Sequence, residues 1–130
     1  MSQVADAAAV QKIYAAFLSG DIHGVLNALA DDVEWTVPGK ADPAAGTYNG
    51  RAGVGQFFQR LAETFDFTGF EPRSFLAQGD QGAAFGWYSM TVKSTGRSVQ
   101  SEWCHVWTFR DGKVTRFKEY TDTEAVAAGF

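Results

Sequence analysis

Apolar residues recur at helical spacing early in the chain and at alternate positions over most of the rest. Val10, Ile13, Tyr14, Phe17 and Leu18 fall on one side of a 3.6-residue repeat, which predicts a helix over residues 3–19 with Ser2 as its N-cap. Gly20 ends that helix, and Asp21 can cap a second one through IHGVLNALA that buries Val25, Leu26 and Leu29. VEWTV then alternates, with Val33, Trp35 and Val37 on one side and Glu34 and Thr36 on the other, as a half-buried strand does. Residues 38–50 carry Pro38, Pro43 and three glycines and read as a loop. A third helix, in VGQFFQRLAETF, buries Val54, Phe57, Phe58 and Leu61. Strands follow at 70–78, 82–93, 97–110 and 113–122, separated by turns at QGDQG, STG and RDG. No repeat, low-complexity tract or linker interrupts residues 1–130. Helices first and long hairpins after predict one α+β domain in the order αα-β-α-ββββ. Its curved antiparallel sheet is covered on one face by the N-terminal helices.

The last hairpin, HVWTFRDGKVTRFKEYTDT, carries candidate chemistry. Its faces depend on the turn, because one residue of slip exchanges them. Asp-Gly suits a two-residue turn, and also a three-residue loop, Arg110-Asp111-Gly112, with Gly112 left-handed. In the two-residue form Arg116 and Lys118 would lie under Trp107 and His105, and two buried cations cost more than one carboxylate. The three-residue form is therefore expected. It puts Trp103, His105, Trp107 and Phe109 on one face with Thr115, Phe117, Glu119 and Thr121. His105 and Glu119 then meet among aromatic rings. Relaxed burial still costs a lone carboxylate on the order of several kcal/mol, which a partner or pocket water offsets.

The strand AAFGWYSMTV is apolar on both sides. Reading STGR like RDGK puts Phe85 and Trp87 on the pocket face and leaves Tyr88, Met90 and Val92 outside with Cys104 and Val106. Such a patch is seldom bare on a monomer, which predicts a homodimer whose interface includes Tyr88, Met90 and Val106.

Composition narrows the function classes. The chain is 45% hydrophobic with eleven Phe, four Trp and four Tyr, compatible with an apolar ligand pocket and equally with a large core. Net charge is −4 and the eleven Lys and Arg are scattered, which argues against nucleic acid. No apolar run approaches a membrane span, and the N-terminus lacks the pattern of a signal peptide. The single cysteine, Cys104, excludes an internal disulfide and suits the cytoplasm. No His, Cys, Asp or Glu cluster has metal-binding spacing, and no cofactor is implied. The glycine-rich GRAGVGQFF fits neither nucleotide fingerprint and reads as the start of a helix. His23 reads as a surface residue.

Three segments, FLSGDIHGVLNALADDVEW, GTYNGRAGVGQFF and WTFRDGKVTRFKEYTDT, give the chain a resemblance to the SnoaL-like family of the nuclear transport factor 2-like superfamily, which includes ketosteroid isomerases. The resemblance covers essentially the whole chain and implies a cone, a bent sheet wrapped round a pocket. Ketosteroid isomerases place a base aspartate just before a proline on the first strand, where this chain has Val37 before Pro38. Their oxyanion tyrosine falls on Ile13, beside Tyr14, and their protonated aspartate falls on His105, so steroid isomerase chemistry is not implied. SnoaL-type polyketide cyclases carry an aspartate seven residues after the hairpin glycine, which here is Glu119, and a histidine on the preceding strand, matched by His105. The Asp-Arg-Asp set of limonene epoxide hydrolase has no counterpart at the inward positions. The fold alone does not fix a function.

Two readings stand for each candidate. Glu119 is an acid–base catalyst or a solvated carboxylate at the pocket rim. His105 is its partner, or a satisfied core histidine. Tyr14, Phe17, Trp35, Phe58, Trp103, Trp107 and Phe117 are ligand-contacting walls or plain core. The expected protein is thus a cofactor-independent acid–base enzyme on a hydrophobic, carbonyl-bearing small molecule, or a non-catalytic binding module with the same pocket.

Overall fold

The computed structural model describes residues 7–130. The elements run α1 (Ala7–Leu18), α2 (Ile22–Asn27), β1 (Leu29–Val37), β2 (Gly46–Asn49), α3 (Gly50–Thr64), β3 (Phe65–Gln78), β4 (Gln81–Val92), β5 (Ser98–Arg110), β6 (Lys113–Thr121) and α4 (Thr123–Ala127). Ser2, the expected cap, lies outside the described residues. Gly20 ends α1 at a φ of 78°, and the Asp21 carboxylate accepts from the Gly24 N–H at 2.9 Å to start α2. On α1 the side chains of Val10, Ile13 and Tyr14 are buried, while Leu18 is exposed.

The six strands form one curved, unclosed sheet in the order β2-β1-β6-β5-β4-β3, an α+β architecture with the helices against the concave side. Sequence periodicity missed three features. Leu29 belongs to β1, not to α2: it lies opposite Val114 of β6, fully buried. Residues 46–49, inside the expected loop, make a short edge strand paired with β1. The sheet is also mixed, because β1 runs parallel to β6, with Trp35 opposite Phe117. Local alternation cannot report a pairing between segments eighty residues apart.

The tight turn after β5 also differs from expectation. Arg110 pairs with Lys113, so the loop has two residues, Asp111 at φ 52° and Gly112 at φ 78°. Positive φ at both central positions is the type I′ turn that matches strand twist. The register then shifts between Thr108 and Phe109, because Thr115 bulges from β6. The bulge returns Phe117 to a place opposite Trp107 and Glu119 to one opposite His105. Arg116 and Lys118 stay exposed, and Val114 takes the inward position expected of Thr115.

In the β4–β5 hairpin the expected faces are reversed. Val92 donates to the Arg97 carbonyl across a four-residue loop, and Tyr88 pairs with Ser101, Gly86 with Trp103 and Ala84 with His105. Tyr88, Met90 and Val92 are therefore interior, with Tyr88 and Met90 only 5% and 3% exposed. Phe85 and Trp87 lie on the convex face beside Cys104. An interface through Tyr88 and Met90 is excluded. Space explains the choice. A side chain at Gly86 would collide with the Glu71 carbonyl and the Trp103 ring, so only this register lets both strands close over Trp103. The C-terminal tail forms α4, capped by the Asp122 carboxylate on the Ala125 N–H at 3.0 Å, and closes one end of the concave side.

Candidate functional site

The concave face encloses a cavity offering about 90 Å³ to the centres of water-sized spheres. One water needs roughly 10–15 Å³ in that measure, so a small organic molecule fits. Its walls are Ile13, Tyr14 and Phe17 of α1, Trp35 and Val37 of β1, Phe57, Phe58 and Leu61 of α3, Phe65, Phe67 and Phe70 of β3, and Tyr88 and Met90 of β4. Trp107 of β5 and Phe117 of β6 complete the apolar lining. Trp35 stacks on Phe117 at 3.8 Å between ring centroids, and the Trp107 and Phe117 rings meet at 4.7 Å. The polar side-chain groups of the lining are His105 and Glu119, the hydroxyls of Tyr14, Tyr88, Thr121 and Thr123, the indole N–H groups of Trp107 and of Trp35, the latter buried with no hydrogen-bond partner among the described residues, and the loop residues Lys40 and Asp42.

One hydrogen-bonded chain organises the polar corner. Trp107 Nε1–H donates to Tyr14 Oη at 3.1 Å, Tyr14 Oη meets His105 Nδ1 at 2.6 Å, and His105 Nε2 meets Glu119 Oε2 at 2.8 Å. The directions follow from who must donate. Burial pushes the Tyr14 phenol far above its usual range, against the pull of the Trp107 bond, with the Glu119 charge adding to the rise. The phenol keeps its proton, and its one hydrogen-bond partner able to accept is Nδ1. Nδ1 thus accepts, and Nε2 carries the hydrogen donated to Glu119. Trp103 stacks on the imidazole at 4.1 Å and 16°, and the facing β4 residues, Ala84 and Gly86, are small enough to leave room for both rings. The imidazole and carboxyl side chains are only 7% and 14% exposed. Glu119 Oε1 has no hydrogen-bond partner among the described residues, so one carboxylate oxygen is held and the other is free at the cavity.

Of the residues picked from the sequence, His105, Glu119, Tyr14, Phe17, Trp35, Phe58, Trp107 and Phe117 all border this cavity. Trp103 does not; it lies behind His105 and holds the imidazole from the far side. Two residues escaped sequence reasoning. Tyr88 was assigned outside, but its hydroxyl bonds Thr121 Oγ1 at 2.9 Å, and burial, chiefly, raises its phenol far above the usual range. Asp42 sat in a Pro- and Gly-rich loop where an aspartate reads as turn chemistry, and its Oδ1 does accept the Ala44 N–H at 2.8 Å. Its position on the cavity had no local signal. Among the described residues no cluster of His, Cys, Asp and Glu could hold a metal ion.

The chain belongs to the SnoaL-like family, whose domain model matches residues 10–117 and so ends short of Glu119. Solved structures share the fold across nearly the full length. An NTF2-like protein from Burkholderia xenovorans LB400 is 37% identical, with 93% of this chain and 92% of that one covered and a TM-score of 0.84. An NTF2-like protein of unknown function from Burkholderia pseudomallei K96243 is 30% identical over 98% and 97% of the two chains, with a TM-score of 0.86. TerC, co-crystallized with polyporic acid, is 33% identical over 92% and 93%, with a TM-score of 0.82. A search of the curated proteins returns no significant match.

Proposed function

We propose that the protein is a cofactor-independent acid–base enzyme that moves a proton on an apolar, carbonyl-bearing small molecule in the concave cavity. The observation that carries this reading is the Tyr14–His105–Glu119 chain, which ends in a free carboxylate oxygen at an aromatic pocket. A non-catalytic cradle needs no such orientation of a carboxylate. Glu119 is the base, and His105 positions it: the Nε2–H fixes Oε2, Tyr14 fixes the tautomer, and Trp103 fixes the ring plane. The aromatic walls hold the apolar body of the ligand and exclude water, which strengthens each polar contact. TerC supports the small-molecule part, since a relative this similar was co-crystallized with polyporic acid.

The test is exchange of the protons next to the carbonyl of 2-tetralone, an apolar aromatic ketone, followed by proton NMR in deuterated buffer. The native protein should accelerate exchange. Glu119→Gln should keep the fold and lose about 10²-fold or more of that acceleration, the usual scale of one acid–base group. Equal rates for the two proteins would remove Glu119 from the chemistry.

We further infer a homodimer formed through the convex face, where Phe85 and Tyr120 are 40% and 50% exposed beside Trp87 and Cys104. Light scattering reads this directly. A cytoplasmic location accords with the lone thiol of Cys104.

A further inference from the structure

Proton transfer at a carbonyl needs a donor as well as a base, and the Tyr14–His105–Glu119 chain spends its donors internally. The Tyr14 hydrogen goes to Nδ1 and the Nε2 hydrogen goes to Glu119. A second acid of different character borders the same cavity. Asp42 is half-buried in the loop between β1 and β2. Its Oδ1 is occupied by the Ala44 N–H at 2.8 Å, while its Oδ2 has no partner among the described residues. We propose that Asp42 is the proton donor of the site, passing a proton from Oδ2 to the ligand's carbonyl oxygen while Glu119 removes one from the neighbouring carbon. This rests on the acid–base reading of Glu119 and names its missing half.

The two carboxyls suit opposite roles because their surroundings differ. Glu119 Oε2 is held by the imidazole N–H at 2.8 Å. Asp42 has one backbone N–H and no cation bonded to it. Burial, chiefly, holds its carboxyl above the usual range; the Ala44 bond pulls partway back, and the charge on Glu119 pushes further up. Two acids whose environments separate them in this way divide into donor and base. The remaining titratable groups round the cavity are His105 on β5, Tyr14 on α1, Tyr88 on β4 and Lys40 on Asp42's own loop. Burial raises the Tyr88 phenol, the charge on Glu119 adds to it, and Asp42 adds less; Asp42 and Glu119 both line the cavity.

The step balances. The C–H bond breaks to Glu119, its electron pair becomes the new C=C bond, and the C=O π pair takes the Asp42 proton. An enol forms beside a protonated Glu119 and an ionised Asp42. In deuterated water the Glu119 proton exchanges with solvent. The reverse step then returns a deuteron to carbon and the proton to Asp42.

The 2-tetralone exchange assay tests this across a pH series with the native protein, Asp42→Asn and Glu119→Gln. Native exchange should fall towards high pH as Asp42 loses its proton. Asp42→Asn should slow exchange by about 10²-fold and lose the high-pH fall. A residue that merely shapes the loop would not remove that fall. Native-like exchange and an unchanged profile in Asp42→Asn, with Glu119→Gln inactive, would overturn the assignment and leave the acid–base reading standing. No acceleration by the native protein would sink both. Circular dichroism and thermal unfolding of Asp42→Asn establish that the variant is folded.

Discussion

Two hairpins share strand β5, and each settles its register differently. On the β4 side the ladder is unbroken from Thr91–Ser98 to Gln81–Thr108, so no bulge alters the phase along it. On the β6 side a two-residue turn sets one phase and the Thr115 bulge cancels it before Phe117. Both were expected to be three-residue loops and neither is one; the expected faces survived only where the side chains could enforce them. Strand β6 alternates cations with Phe117 and Glu119, so the wrong phase would bury Arg116 and Lys118 at a cost of several kcal/mol each. A bulge is the cheaper solution. Strand β4 is apolar on both sides, so burying Tyr88, Met90 and Val92 competes with burying Phe85 and Trp87 on nearly equal terms. What decides there is shape.

That makes Gly86 the point where the comparison breaks most sharply. Its missing Cβ lets the Trp103 ring cross β4 behind His105. Gly86→Ala forces the Cβ against the Glu71 carbonyl and that ring, and overpacking of this kind costs about 1–3 kcal/mol, more where backbone must move. The thermal midpoint should fall by several degrees or the protein should fail to fold. The neighbouring Ala83→Val, on the convex side, should change it by no more than about 0.5 kcal/mol. Equal effects would mean that shape does not set the β4 register.

The same contrast explains what the sequence made legible. The helices, the alternation in β1 and the His105–Glu119 face rest on local periods of 3.6 and 2 with charged residues to fix the phase. The parallel β1–β6 pairing, the short β2 and α4 depend on partners far along the chain. Trp103 has the right phase for the cavity but lies behind the imidazole, because stacking depth is invisible in a pattern of faces. Asp42 reads as turn chemistry until the fold carries its loop to the rim.

Two tyrosines sharpen the comparison in solution. Tyr14 and Tyr88 are both interior, and burial raises both phenols well above the ordinary value of about 10. Titration of the native protein and of Tyr88→Phe, each followed by phenolate absorbance, should therefore give the same phenolate signal until the protein unfolds, because Tyr88 stays protonated in the fold. The sign for stability follows. A phenol whose folded value is raised contributes fully below about pH 10, where neither state ionises, and that contribution is lost as pH climbs towards the folded value. Unfolding free energy should drop above about pH 10, by up to about 1.4 kcal/mol per pH unit for each shielded phenol. Tyr88→Phe should make the drop shallower. A smaller folded-state phenolate signal in Tyr88→Phe than in the native protein would contradict the β4 register.

The smallest effect on the fold is expected on the convex side. Phe85 is 40% exposed, although it stands one residue from Ala84, which is fully buried opposite His105. Phe85→Ser removes a ring that a single protomer leaves largely in water, so the unfolding free energy of the protomer should change by about 0.5 kcal/mol or less. The same change at an interior aromatic would cost about 3–5 kcal/mol. The assembly should respond differently from the protomer. If two copies close over Phe85, Trp87 and Tyr120, light scattering at micromolar concentration should give a dimer mass for the native chain and a lower mass for Phe85→Ser. A large loss of protomer stability in dilute solution would return Phe85 to the interior and reverse the register argued for β4. A monomer mass for the native chain would leave that register intact and end the case for a homodimer through this face.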